Sequence, residues 1–454
     1  MQARRTIDRI HAFRTALQDA VAERRVPSAH GDGLFAPSVR EVYDVNYLRV
    51  EQPAPADELI GEAEALMEDY FHKRVVLERG DDGVAAGFRD RGWTVTPHLI
   101  MAHTREPDRR ADTSMVREAG FSELVAARRE ITVGEPWGDD EIASLLDEAK
   151  QLIMRAVPTR FYAATVDGEV AAYCEVRSGD GVAQIEDVNT LERFRGRSLG
   201  RAIVQHAVDT ASATHDVVYL EALAEDWPRE LYERLGFDVV GERHFNTLFP
   251  SPLTRLRVRT PRLELRLGTD AELRELGRVA IRGIHDPGVM PFEHPWTDDV
   301  TEQSVVEFHR GQLQAFRPED WSLDLVAFHR GRPIGIQSVR AERFAGRRIV
   351  GTGSWLGRAW QGQGLGTEMR AAVLQLAFAG LGAEVARSGA IAGNPQSLGV
   401  SRKLGYDVVG SHTVSPRGAP LEHTDIELRR EDFRSPVAVE IVALEPLLPL
   451  FGAA

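Results

Sequence analysis

The chain has 454 residues, of which 43% are hydrophobic and 27% charged, an ordinary globular composition with room for roughly two to four domains. That excludes a disordered or fibrous protein, and no stretch approaches the roughly 18 to 20 uninterrupted apolar residues of a membrane span. The net charge of −14 disfavours a nucleic-acid backbone as partner, although 55 basic residues are present and only Lys73, Lys150 and Lys403 among them are lysine.

In chain order, the segment after Met1 is charged but has no apolar run behind it, so a cytoplasmic protein without a signal peptide is expected. Residues 88–98, Phe-Arg-Asp-Arg-Gly-Trp-Thr-Val-Thr-Pro-His, read as a helix end, a glycine cap and a strand opened by an aromatic. The same phrase returns at Tyr232-Glu-Arg-Leu-Gly-Phe-Asp-Val-Val-Gly and at Ser401-Arg-Lys-Leu-Gly-Tyr-Asp-Val-Val-Gly, so the chain is internally repetitive. Cys174, the single cysteine, lies in an apolar strand-like run and is expected to be core packing.

The strand pattern Ala183-Gln-Ile-Glu-Asp-Val-Asn-Thr precedes a turn, Arg195-Gly196-Arg197-Ser198-Leu199-Gly200-Arg201, and an amphipathic helix from Ala202. Period-2 alternation puts Glu186 on one face with Gln184 and Val188, and Asp187 on the other. Two prolines in Phe249-Pro-Ser-Pro-Leu-Thr mark a hinge. Beyond it, residues 284–299 collect His285, Asp286, Glu293, His294 and Asp298. The strand Ile349–Leu356 leads into Gln361-Gly362-Gln363-Gly364-Leu365-Gly366-Thr367 and a second helix. Past Arg434 the tail is apolar but broken by prolines, expected to dock as an extended segment or strand on a neighbouring domain. Units at 1–112, 113–255 and 256–435, with a tail at 436–454, follow from this reading.

A glycine-rich turn at a helix start lets backbone amides converge on an anion, where the helix dipole adds to their pull. It is neither a P-loop nor a dinucleotide fingerprint. Strand, Gln/Arg-x-x-Gly-x-Gly, helix, strand, helix and Leu-Gly-aromatic together resemble the GNAT superfamily of N-acetyltransferases. Residues 361–366 match its acetyl-CoA motif throughout; residues 195–200 match except for Ser198 in place of a glycine. Asn394-Pro-Gln-Ser-Leu-Gly-Val with Lys403-Leu-Gly-Tyr resembles the ribosomal-protein-alanine N-acetyltransferase subgroup.

The resemblance implies tandem α/β folds, each a twisted mixed sheet splayed open for acetyl-CoA, after a truncated first lobe (1–112) that lacks the cofactor loop. It implies a cofactor site at residues 195–201 and 361–367 with Val188 and Asn394. In the middle unit it implies Glu186 as base and Tyr232 as the acid that protonates the leaving thiolate. In the third unit Ser401 holds the tyrosine's place, no carboxylate lies on the cofactor strand, and His285, Glu293 and His294 fall in the acceptor region. No metal is expected, because His285 and His294 lack tight ligand spacing. The expected reaction is direct acetyl transfer from acetyl-CoA to the primary amine of a small molecule: an amino sugar, amino acid derivative or antibiotic. Acetylation of a protein N-terminus and a non-catalytic acyl-CoA sensor or scaffold are the alternatives. No nucleic-acid or membrane partner is expected, and a homodimer is left open.

Overall fold

A computed structural model describes residues 2–135, 137–225, 227–391 and 394–453. The chain forms two compact units, Met1–Phe249 and Pro250–Ala454. No helix among the described residues is long and apolar enough to cross a membrane.

The first unit opens with α1 (Gln2–Val21), β1 (Arg24–Pro27), β2 (Gly31–Phe35), β3 (Tyr47–Val50), α2 (Ala56–Leu66), β4 (Lys73–Leu77), α3 (Asp82–Asp90) and β5 (Thr94–His103). It continues through β6 (Val116–Ala119), α4 (Phe121–Gly134), α5 (Asp140–Ala156), β7 (Thr159–Val166), β8 (Glu169–Gly179) and β9 (Val182–Thr190). It closes with α6 (Leu199–Ser212), β10 (Val217–Leu223), α7 (Pro228–Arg234) and β11 (Phe237–Leu248). Among the described residues these strands make one eleven-stranded sheet in the order β1-β2-β3-β4-β11-β5-β10-β9-β8-β7-β6.

Segments before and after residue 112 therefore share one sheet. β5 and β11, which carry the first two copies of the repeated phrase, pair antiparallel from Phe237 opposite His103 to Thr247 opposite Thr94. β11 pairs on its other side with β4, and β5 with β10. Each half thus lends its last strand to the other, and neither leaves an exposed central edge. Cys174 is fully buried in the core between this sheet and α6, and burial raises its thiol pKa.

The second unit runs β12 (Arg257–Arg259), β13 (Leu263–Arg266), α8 (Asp270–Ile281), α9 (Glu302–Ala315), β14 (Asp320–His329), β15 (Arg332–Glu342), α10 (Phe344–Arg347) and β16 (Ile349–Leu356). Then follow α11 (Leu365–Gln375), β17 (Val385–Ile391), α12 (Pro395–Lys403), β18 (Asp407–Val414), β19 (Leu421–Arg429) and β20 (Glu440–Val442). The sheet order is β18-β19-β17-β16-β15-β14-β13-β12-β20. The tail thus docks as a strand, β20 against β12, within its own unit, and Phe451 packs edge-on against the buried Trp321. Thr269 and Thr301 cap α8 and α9 by accepting from the amides of Glu272 and Ser304.

Both sheets open at one place. β9 and β10 are parallel partners only from Val182/Val217 to Ile185/Leu220, and β16 and β17 only from Ile349/Val385 to Gly351/Arg387. All four strands run on beyond their last paired residue, leaving a wedge between strands that no longer bond to each other.

Candidate functional site

The two glycine-rich turns take one shape. Gly196 and Gly362 have φ of 79° and 74°, and Ser198 and Gly364 have φ of 60° and 79°, after which α6 and α11 begin on the buried Leu199 and Leu365. Ser198 thus adopts the left-handed conformation that glycine takes freely, at a cost of roughly 1–2 kcal/mol for an L residue. No side chain caps either helix, and the helical ladder starts only at Ala202 N–H to Ser198 O (3.1 Å) and Glu368 N–H to Gly364 O (3.2 Å). The amides of the preceding turn have no place in that ladder and collect at the positive end of the helix dipole. Gly200 and Gly366 are also matched: a Cβ there would lie 3.9 Å from Leu231 of α7 and from Val400 of α12 respectively.

Several side chains of these turns are already engaged. Gln361 donates to the carbonyls of Ile284 (2.7 Å) and Leu356 (2.8 Å), Gln363 donates to Ala359 O, and Arg201 pairs with Asp108 at 2.6 Å. What remains for an anion is chiefly backbone, with the exposed Arg195 and Arg197 in the first unit. In the second, Arg262 bonds Gln363 O (3.0 Å) and Glu368 (2.6 Å), which sets its guanidinium against the turn; nothing in the motif pointed to it.

In the first unit's wedge, Glu186 is the first residue past the last β9–β10 pair. The alternation expected from sequence fails at the next residue. Asp187 has φ +55° in a bulge where the β8–β9 register slips between Tyr173 and Glu175, and this turns Asp187 to the face of Glu186. There it bonds Arg128 and lies 3.4 Å from Lys150, whose Nζ is 2.8 Å from both oxygens of Glu175, the cross-strand partner of Glu186. Val188 packs into the opposite, α6-side core.

Burial raises the Glu186 carboxyl; Arg177 opposes, and Glu221 and Glu175 add to the rise, leaving it at about 7. For Asp187 the balance reverses, because Lys150 and Arg128 outweigh burial and hold it below the ordinary range. Gln184 donates to Glu186, while Gln184 Oε1 and the hydroxyl of its partner Tyr219 are buried without a hydrogen-bond partner among the described residues. Tyr232 is buried on α7, its ring 6.2 Å from Phe237.

In the second unit, Arg370 of α11 donates to Ser354 (2.9 Å) on β16 and Ser388 (3.2 Å) on β17, so one guanidinium spans the open wedge. Ser401 is buried and donates to Ser397 O (3.0 Å); Asn394 caps α12 by accepting from Ser397 N–H. His285 bonds Thr297 (2.8 Å) and packs on Phe292, and His294 is exposed. Arg417, in the β18–β19 turn, pairs with Asp298 and donates to Pro287 O, clamping the 284–299 loop to that hairpin. Glu293 is thereby brought to His423 and His412 of β19 and β18, neither of which any spacing in the sequence had singled out.

A parallel strand pair that opens into a wedge, followed by an uncapped helix on a left-handed glycine turn, is the frame of an acyl-CoA-dependent transferase, and it occurs in both units. Residues 122–237 match the family model described as the acetyltransferase (GNAT) family, and residues 262–407 the one described as the acetyltransferase (GNAT) domain. The chain belongs to the GNAT N-acetyltransferases, as a tandem member. It is similar to a functionally unknown conserved protein from Staphylococcus epidermidis (15% identity, 50% of this chain and 93% of that one, TM-score 0.41). It is also similar to a GNAT-family acetyltransferase from Bacillus anthracis (15%, 38% and 99%, 0.33) and to the ribosomal alpha-N-protein acetyltransferase RimL in complex with coenzyme A (15%, 37% and 95%, 0.32).

Proposed function

We propose that the chain transfers acetyl from acetyl-CoA directly to the primary amine of a small polar molecule, with the middle domain, residues 113–255, as a working catalytic unit. The observation that carries this is Glu186: a carboxyl poised at about 7, at the mouth of the strand wedge that admits the donor in this family. A base with that pKa takes a proton from an ammonium acceptor near neutral pH far better than an ordinary carboxylate. The amine then attacks the thioester carbonyl, the C–N bond forms as the C–S bond breaks, and Tyr232 gives its proton to the departing thiolate.

The pyrophosphate rests on the amides of residues 196–201, with Arg195, Arg197 and the Ser198 turn around it, and on those of 362–367 in the second unit. Val188 and Asn394 border these cofactor sites, Val188 from the strand edge and Asn394 through the α12 cap that fixes the neighbouring helix. A polar acceptor also suits the two orphaned atoms beside Glu186, Gln184 Oε1 and the Tyr219 hydroxyl. In the second unit His285, Glu293 and His294 belong to the acceptor loop, and Ser401 holds the place of the acid.

Residues 1–112 are read as a GNAT-like lobe without a donor site. β3 and β4 form a parallel pair like β9 and β10, yet the link between them enters α2 through Pro53 and Pro55, with no glycine turn. The test is acetyl-CoA turnover against a panel of amino sugars, amino acid derivatives and aminoglycosides, with a peptide library in parallel. Acetylated small amines with unmodified peptides are expected; modified peptide N-termini with untouched small amines would overturn the acceptor class, and no turnover on either would overturn catalysis.

A further inference from the structure

His412 and His423 are direct cross-strand partners in the β18–β19 hairpin, their rings 4.6 Å apart. One carboxylate orients both: Asp425 lies 3.0 Å from the Nδ1 of His412 through one oxygen and 3.0 Å from the Nδ1 of His423 through the other. A carboxylate accepts, so each Nδ1–H is turned toward Asp425 and each Nε2 is the ring nitrogen left to face a ligand. Glu293 comes to the same point from the 284–299 loop, its Oε1 3.6 Å from His423 Nε2. One nitrogen from each histidine and one oxygen of Glu293 lie within 4.8 Å of one another.

The ring of His423 also lies over Gly389 on β17, where a Cβ would stand 2.6 Å from Nε2, so only glycine lets the imidazole take this place. Two imidazole nitrogens and one carboxylate oxygen, backed by a shared outer carboxylate, make an open three-ligand set of the kind that borderline divalent cations favour. Adjacent ligands around tetrahedral zinc stand about 3.3 Å apart for bonds of about 2.0–2.1 Å. The 3.6 Å pair is close to that already, and Glu293 is an exposed side chain on a loop, which leaves it room to close the remainder.

We propose that His412, His423 and Glu293 form a binding site for a divalent transition cation of the zinc class, with Asp425 as the outer carboxylate that orients both histidines. The fourth position is open beside the 284–299 loop, so it takes water or a donor atom of the acceptor. The site stands independently of acetyl transfer, because its readout is metal binding.

The experiment is calorimetric titration of zinc chloride into the full chain after treatment with chelator, with cobalt(II) visible absorption as a second probe. One equivalent per chain is expected, with tetrahedral cobalt bands. Affinity should fall at least tenfold in His412→Gln, His423→Asn and Glu293→Gln, and about 10- to 100-fold in Asp425→Asn. His412 is half exposed, so His412→Gln decides the matter if the variant at the more buried His423 fails to fold. Absence of stoichiometric binding, or binding that His412→Gln and Glu293→Gln leave unchanged, overturns the proposal.

Discussion

Glu78 and Glu221 share one guanidinium, that of Arg14 on α1, which bonds Glu78 and lies 3.0 Å from Glu221. Arg243 reaches the same two carboxylates at 3.3 and 3.2 Å. The two glutamates end matching runs, Val75-Val76-Leu77 on β4 and Val218-Tyr219-Leu220 on β10, on either side of the exchanged strands β5 and β11. Burial by itself would raise Glu78, but Arg243 and Arg14 hold it down at about 2; Glu221 is held low in the same way. Arg14→Met removes one of two cations from a buried set of four charges and is expected to destabilise the first unit by about 3 kcal/mol in urea unfolding. Because the folded pKa of Glu78 is depressed, its contribution is present above its ordinary value of 4.5 and is lost as pH falls toward 2. The wild type should therefore lose more stability than the variant across that acid window.

Glu186 has the opposite sign. Its folded pKa is raised, so its contribution is complete below 4.5 and disappears as pH rises through about 7. Glu186→Gln should stabilise the protein at pH 8, by as much as about 3 kcal/mol if the whole shift is realised, and the gain should vanish below pH 5. In kinetics, the acid limb of kcat/KM near pH 7 should be missing from the same variant; a limb that persists would remove Glu186 from the role of base.

Tyr232→Phe should lower kcat roughly tenfold or more while acetyl-CoA affinity changes less than about twofold, since a general acid acts on the leaving thiolate rather than on the bound donor. Parallel turnover assays and calorimetry separate the two effects. Unchanged turnover here and in Glu186→Gln would shift the chemistry to the second unit.

The matched turns predict donor stoichiometry. Acetyl-CoA titrated into the full chain should saturate two sites, one lost in Gly200→Trp and the other in Gly366→Trp, because an indole in the first helical turn fills the anion position. A single site abolished by Gly366→Trp alone would mean that Ser198, despite its left-handed φ, does not leave room for the pyrophosphate.

Much of the architecture could be read locally. The repeated helix-glycine-aromatic-strand phrase, the two glycine turns and the amphipathic helices after them are short-range patterns, set by backbone freedom at glycine and by the 3.6-residue period. From these came the tandem α/β fold and the acetyltransferase family. The facing of Asp187 and Val188 could not be read this way, because a bulge is decided by what lies across the strand: Arg128 and Lys150, from two other helices, hold Asp187 on the face that simple alternation denied it. The exchange of β5 and β11 was likewise invisible, since strand order depends on which edges find partners and not on the strands' own composition. The same holds for the histidine cluster. Glu293 lies on a loop far in sequence from the hairpin that carries His412 and His423, and only the hairpin register and the Arg417 clamp bring their charges and lone pairs to one point.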